Sequence, residues 1–147
     1  MSSISNTFAN ELALLLFNNT DIANIGDAAG LQNSATAGSF YVALHTADPG
    51  DAGSATTNEI AYTSYARVAT ARSGAGWTVT ARALTNAADI VFPTSTSAGP
   101  DVATHWSIVK ESSGASVILF KGALGSSLSV TLNVAPRIIA GALDLTF

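Results

Sequence analysis

The sequence predicts a mainly β protein, an antiparallel β-sandwich or jelly-roll-like domain preceded by one short N-terminal helix. Three observations carry this reading. Apolar residues recur at helical spacing only near the start, and from residue 39 onward their period is two. Strand-like runs then return at intervals of about 8 to 12 residues, divided by Gly, Ser and Pro.

In residues 3–17, Ile4, Phe8, Leu12, Leu15 and Leu16 fall on one helical face. Ser3 or Ser5 can cap the start, and Asn18 and Asn19 suit the stop. So short a helix is marginal alone, so its apolar stripe must dock, either on its own domain or on a neighbouring copy. Those five residues are therefore the candidate interface. Residues 20–38 read as a loop rich in small side chains, with one helical turn near 22–25. The division expected is a helix and loop arm over 1–38 and a β-sandwich domain over 39–147.

In the β domain, Phe40, Val42 and Leu44 alternate with Tyr41, Ala43 and His45 before "ADPGDAGS" closes the run. Further strands are expected over 67–71, 76–81, 89–92, 102–110, 117–124, 128–134 and 138–146. The clearest alternation is "LSVTLNV", with Leu128, Val130, Leu132 and Val134 on one face. Val42, Leu44, Val79, Ile108, Leu119, Val130, Leu132 and Leu143 are expected to be mostly buried.

Composition narrows the partners. Only 11% of the 147 residues are charged, against roughly 25% in an ordinary domain. With 27 Ala, 17 Ser and 16 Thr, and a mean hydropathy of +0.35, the chain has little charge to hold its surface away from others. That implies a surface partly covered by copies or partners. Six Lys and Arg against ten Asp and Glu, with Arg67 and Arg72 the closest cationic pair, make no phosphate-tracking stripe, so nucleic acid is not expected. There is no cysteine for a disulfide or a zinc-thiolate site. "LALLLF" lacks the basic flank of a signal peptide, and no run reaches the roughly 18 apolar residues of a membrane span.

"YVALHTADPGDAGS" raises the question of chemistry, since it gathers His45, Asp48 and Asp51, with His105 further along. Asp-Pro-Gly is turn chemistry: Asp accepts local N–H bonds, Pro fixes φ, and Gly tolerates positive φ. His105 and Trp106 face opposite sides of one strand. Two histidines lack an evident third metal ligand, no G-x-S-x-G elbow accompanies the serines, and "GAGWTV" opens a strand rather than a phosphate-binding helix. No catalytic, cofactor-binding or metal-ligating residue is expected, nor a small-molecule substrate.

The segments "FYVALHTADPGDAGS", "YARVA", "NAADIVFP", "VATHWSIVKESSGASVILFKGAL" and "IIAGALDLTF" resemble, in this order, a family of small phage virion structural proteins often labelled tail-fibre-like. The resemblance covers about residues 39 to 147. It implies a non-enzymatic virion protein made in the bacterial host cytoplasm, without a cofactor. The leading expectation is a capsid decoration, or cement, protein. It would self-associate as a homo-oligomer and bind the major capsid protein on the outer capsid surface, stabilising the shell by mass action. The alternative is a tail component, a short fibre or baseplate-associated element contacting the host surface. An enzyme acting on host polysaccharide ranks last, because no carboxylate pair can be named.

Overall fold

The helix expected near the start is α1, Asn6–Asn18, in the computed structural model, which describes residues 4–147. Ser5 caps it by accepting the Phe8 N–H at 3.2 Å. Ser3, the other cap candidate, lies outside the described residues. Asn19 ends the helix in the left-handed conformation, φ 54°, and returns its N–H to the Leu14 carbonyl. Nine strands follow among the described residues: β1 (Ser39–His45), β2 (Val68–Ala71), β3 (Trp77–Thr80), β4 (Ala83–Asn86), β5 (Ile90–Val91), β6 (Asp101–Val109), β7 (Ile118–Val130), β8 (Arg137–Ile138) and β9 (Asp144–Thr146). The pairs β1–β6, β6–β7, β3–β4, β4–β9 and β5–β8 are all antiparallel. The chain is thus mainly β, with antiparallel sheets behind one short helix.

Residue contacts divide it into two compact units. The first comprises the chain up to Ser39, Ala71–Ala88 and Ile139–Phe147. It holds α1 and a sheet in the order β3-β4-β9. The helix buries Ala9, Ala13 and Phe17, spaced at i, i+4 and i+8, and packs on β3. Two alanines let the helix approach closely, and Phe17 meets Trp77 edge-to-face at 5.0 Å and Phe147 at 6.2 Å.

The second unit, Phe40–Thr70 and Asp89–Ile138, holds a four-stranded sheet in the order β2-β1-β6-β7 and the ribbon β5–β8. In β1 the run from Val42 to His45 is buried without interruption, because this inner strand is covered on both faces. Its partner β6 buries Trp106, Ser107, Ile108 and Val109. Tyr65 stacks on Phe92 with the rings 14° apart, and the Tyr62 hydroxyl donates to the Pro93 carbonyl at 2.8 Å.

Several local expectations are corrected. Residues 117–124 and 128–134 do not form two strands. Ile118–Val130 is one strand, with a register shift opposite Ala103 and His105 where a turn was expected. Beyond Val130 the chain turns at Asn133, φ 64°, so Leu132 is 53% exposed rather than buried. Val79 and Leu119 are half-buried, whereas Val42, Leu44, Ile108, Val130 and Leu143 are buried as expected. The helical turn near 22–25 is instead part of a loop closed by an antiparallel bridge between Ile22 and Leu31. β4 was not foreseen, and the last run splits into β8 and β9.

Candidate functional site

The four polar residues singled out in the sequence lie in the second unit and divide into separate groups. His45 ends β1 facing inward, fully buried. Its Nδ1 lies 2.9 Å from the Thr57 carbonyl and its Nε2 2.7 Å from Ser107 Oγ. A carbonyl only accepts, so Nδ1 carries the proton and Nε2 accepts from Ser107. Burial pushes the His45 pKa below the ordinary histidine value, against the opposing pull of the Thr57 carbonyl. His105 pairs with His45 across β1–β6. The Thr104 hydroxyl donates to the Thr46 carbonyl at 2.8 Å and sits 2.9 Å from His105 Nδ1, so it accepts from that ring.

Asp48 and Asp51 turn outward instead. Asp48 Oδ1 accepts the Gly50 N–H and the Lys121 ammonium, both at 2.9 Å, and Asp51 reaches Lys121 at 3.2 Å. The Gly50 N–H and then Lys121 hold the Asp48 pKa below the usual aspartate value. The turn reading of Asp-Pro-Gly is the one the geometry supports. Among the described residues, no group of three His, Cys, Asp or Glu side chains could hold a metal. Ser107 and His45 make a hydroxyl–imidazole pair, but both are fully buried, out of reach of a substrate.

Sequence reasoning missed a third group. Arg67, with 2% of its side chain exposed, grips Glu59 through Nε to Oε1 at 2.7 Å and NH2 to Oε2 at 2.8 Å. The same guanidinium donates to the carbonyls of Glu111 at 3.1 Å and Gly114 at 2.7 Å. Tyr65 donates its hydroxyl to Glu59 and accepts the Leu44 N–H, each at 3.0 Å, and its pKa is raised by burial. Glu59, Tyr65, Arg67 and Ser112–Gly114 border a surface cavity of about 260 Å³. The available signal was scarcity: in so charge-poor a chain, a Glu eight residues before an Arg is a candidate pair. Arg72, the other member of the cationic pair, works in the first unit, donating to the Leu15 and Leu16 carbonyls at the end of α1.

Of the five apolar residues proposed as an interface, Phe8, Leu12, Leu15 and Leu16 lie on α1 beside its buried face, and Ile4 precedes the helix. Phe8 is 37% exposed, and Ile4, Leu12, Leu15 and Leu16 are half-buried. Arg82 donates to the Ile4 carbonyl at 2.9 Å, so arginines fasten the helix at both ends.

Residues 3–146 match a family model described as podophage GP4 fiber I protein gp80. The chain belongs to this family. It is therefore a structural protein of a phage virion. No curated protein matches the chain. Among the described residues no helix is long and apolar enough to cross a membrane.

Proposed function

We propose that this protein is a tail-fibre component, the alternative that the sequence resemblance left open, rather than the capsid cement protein that was its leading expectation. The observation that carries the proposal is the match of nearly the whole chain to a fibre family. A chain of few charges, with a half-exposed apolar stripe on a fastened helix, suits a part that assembles with others. Its partners on this reading are copies of itself and neighbouring tail proteins, joined in part through Ile4, Phe8, Leu12, Leu15 and Leu16. It acts by binding, without catalysis, cofactor or nucleic acid.

Immunogold labelling of purified particles, with its copy number per virion, tests the proposal. Label confined to the tail and a small copy number are expected. Label over the whole shell, with hundreds of copies, would return the protein to the capsid surface.

A further inference from the structure

The segment joining β1 to β2 folds back over the end of β1 and is fastened there at several points. Ile60 N–H donates to the Leu44 carbonyl at 2.9 Å, and His45 bridges Glu59 antiparallel. Thr46, the first residue past β1, closes the segment on itself through its N–H to the Asn58 carbonyl at 2.8 Å. His45 is the residue that both sides share. One ring nitrogen meets the segment at Thr57, and the other meets β6 at Ser107. From this geometry we propose that His45 is an acid-sensitive latch, whose protonation loosens residues 46–60 from the β1–β6 pair while the sheet stays intact.

The neutral ring satisfies both neighbours, as donor to Thr57 and acceptor from Ser107. A second proton on Nε2 turns that nitrogen into a donor, so the Ser107 hydroxyl must give up the bond it donates and rotate. The ring would also become a cation at a site without exposure to water. Water can reach it either by parting β1 from β6, a five-residue antiparallel register, or by lifting the covering segment. Freeing the stretch around Thr57 breaks the Ile60–Leu44 and Ala55–Ser116 backbone bonds, fewer than the β1–β6 register holds. Glu59 stays on Arg67 and Asp48 on Lys121, so this is the softer route.

The charged and titratable neighbours do not cancel this effect. Glu59, from the segment itself, favours the imidazolium, while Arg67, ahead of β2, and His105, on β6, oppose it. Glu59 is already engaged by two Arg67 nitrogens. Burial is the largest influence on His45 and acts against the proton. The folded pKa therefore lies below the unfolded one. The stabilisation is complete above the ordinary histidine value of 6.5 and is lost as pH falls from there through the folded pKa. Asp48 and Lys121 do not share this window, since the Gly50 N–H and Lys121 hold Asp48 below the usual aspartate value and the two carboxylates hold Lys121 above the usual lysine value.

Hydrogen exchange on the intact protein, corrected for the intrinsic effect of pH, tests the latch. Between pH 7.5 and 5.0, protection over residues 46–60 should fall by up to about tenfold per pH unit within the linkage window. Protection over β6 and β7 should hold. His45→Gln should abolish the pH dependence, and His105→Gln should keep it. Should His45→Gln fail to fold, the His45 ring titration followed by NMR in the wild type must share its midpoint with the loss of protection. Protection that ignores pH, that falls equally in β6 and β7, or that still responds in His45→Gln would overturn the proposal. So would a ring titration out of step with the loosening.

Discussion

Arg67 holds Glu59 in a two-pronged ion pair and, with the same guanidinium, ties down the turn between β6 and β7 through the carbonyls of Glu111 and Gly114. One side chain thus joins its own stretch and the nearby Glu59 to a turn 44 to 47 residues further along the chain. A buried charge is tolerated only when paired and hydrogen-bonded, and four donated bonds meet that condition.

Arg67→Ala should therefore lower the stability of the second unit by about 3–5 kcal/mol, since it strands the Glu59 carboxylate. Arg67→Lys should recover only part of the loss, because an ammonium cannot bind both carboxylate oxygens in the same fork. The double variant Glu59→Ala/Arg67→Ala should lose less than the sum of the single losses. Urea denaturation of all four variants, Glu59→Ala included, measures this. Additive losses would mean that the pair carries no coupling.

Gly122 faces Trp106 across β6–β7. A Cβ at this glycine would lie 2.7 Å from Trp106 Cζ2 and 2.9 Å from Cε2, closer than atoms can pack. Trp106 is only 4% exposed, so the ring has little room to yield. Gly122→Ala should cost about 1–3 kcal/mol as an overpacked site. It should also shift the tryptophan emission, and Gly125→Ala, which meets nothing within 4 Å, should do neither.

Much of this architecture is legible in the sequence, and the parts that are not have physical causes. The strands β1 and β6 declare themselves because they are long and their apolar and β-branched residues are dense. β4 stays hidden because the chain reverses between β3 and β4 at Ala81 and Arg82, with Ala81 at φ 56°. Alanine is not a turn residue, so no Gly or Asn signals the hairpin. Helical periodicity found α1 and its large apolar stripe but not the alanine-lined face that packs inside its own unit. Counting large apolar residues overlooks the alanines that bring Phe17 against Trp77. The polar groups were legible only as local turns. The bonds from His45 to Ser107 and from Asp48 to Lys121 span 62 and 73 residues, and periodicity carries no such information.

The break between β8 and β9 depends on one buried amide. Asn86 donates to the carbonyls of Ala88 at 2.8 Å and Ile139 at 2.9 Å, and it accepts the Leu143 N–H at 2.9 Å. Its own carbonyl accepts from Gly141, which turns the chain at φ 76°. Asn86→Ala should cost about 1–3 kcal/mol or more, because it leaves buried backbone groups without partners. Asn86→Asp should be no better, since a carboxylate cannot donate to the two carbonyls. Thermal unfolding followed by circular dichroism reads both.

The outer stripe of α1 allows folding and assembly to be tested apart. Phe17, Ala9 and Ala13 fill the core of the first unit, so Phe17→Ala should cost about 3–5 kcal/mol. Ala13→Leu should destabilise by overpacking, by about 1–3 kcal/mol. Deleting residues 1–19 would remove this core and reveal little about binding. Phe8 and Leu12 lie one turn apart outside the packed face, with Phe8 37% exposed and Leu12 half-buried. The double variant Phe8→Ser/Leu12→Ser should therefore melt within a few degrees of the wild type. On the proposed interface reading it should nonetheless lose self-association in sedimentation and fail to join particles during assembly. If the double variant assembled normally, the stripe would not be an interface. If it unfolded, the stripe would belong to the unit's own core, whatever its exposure.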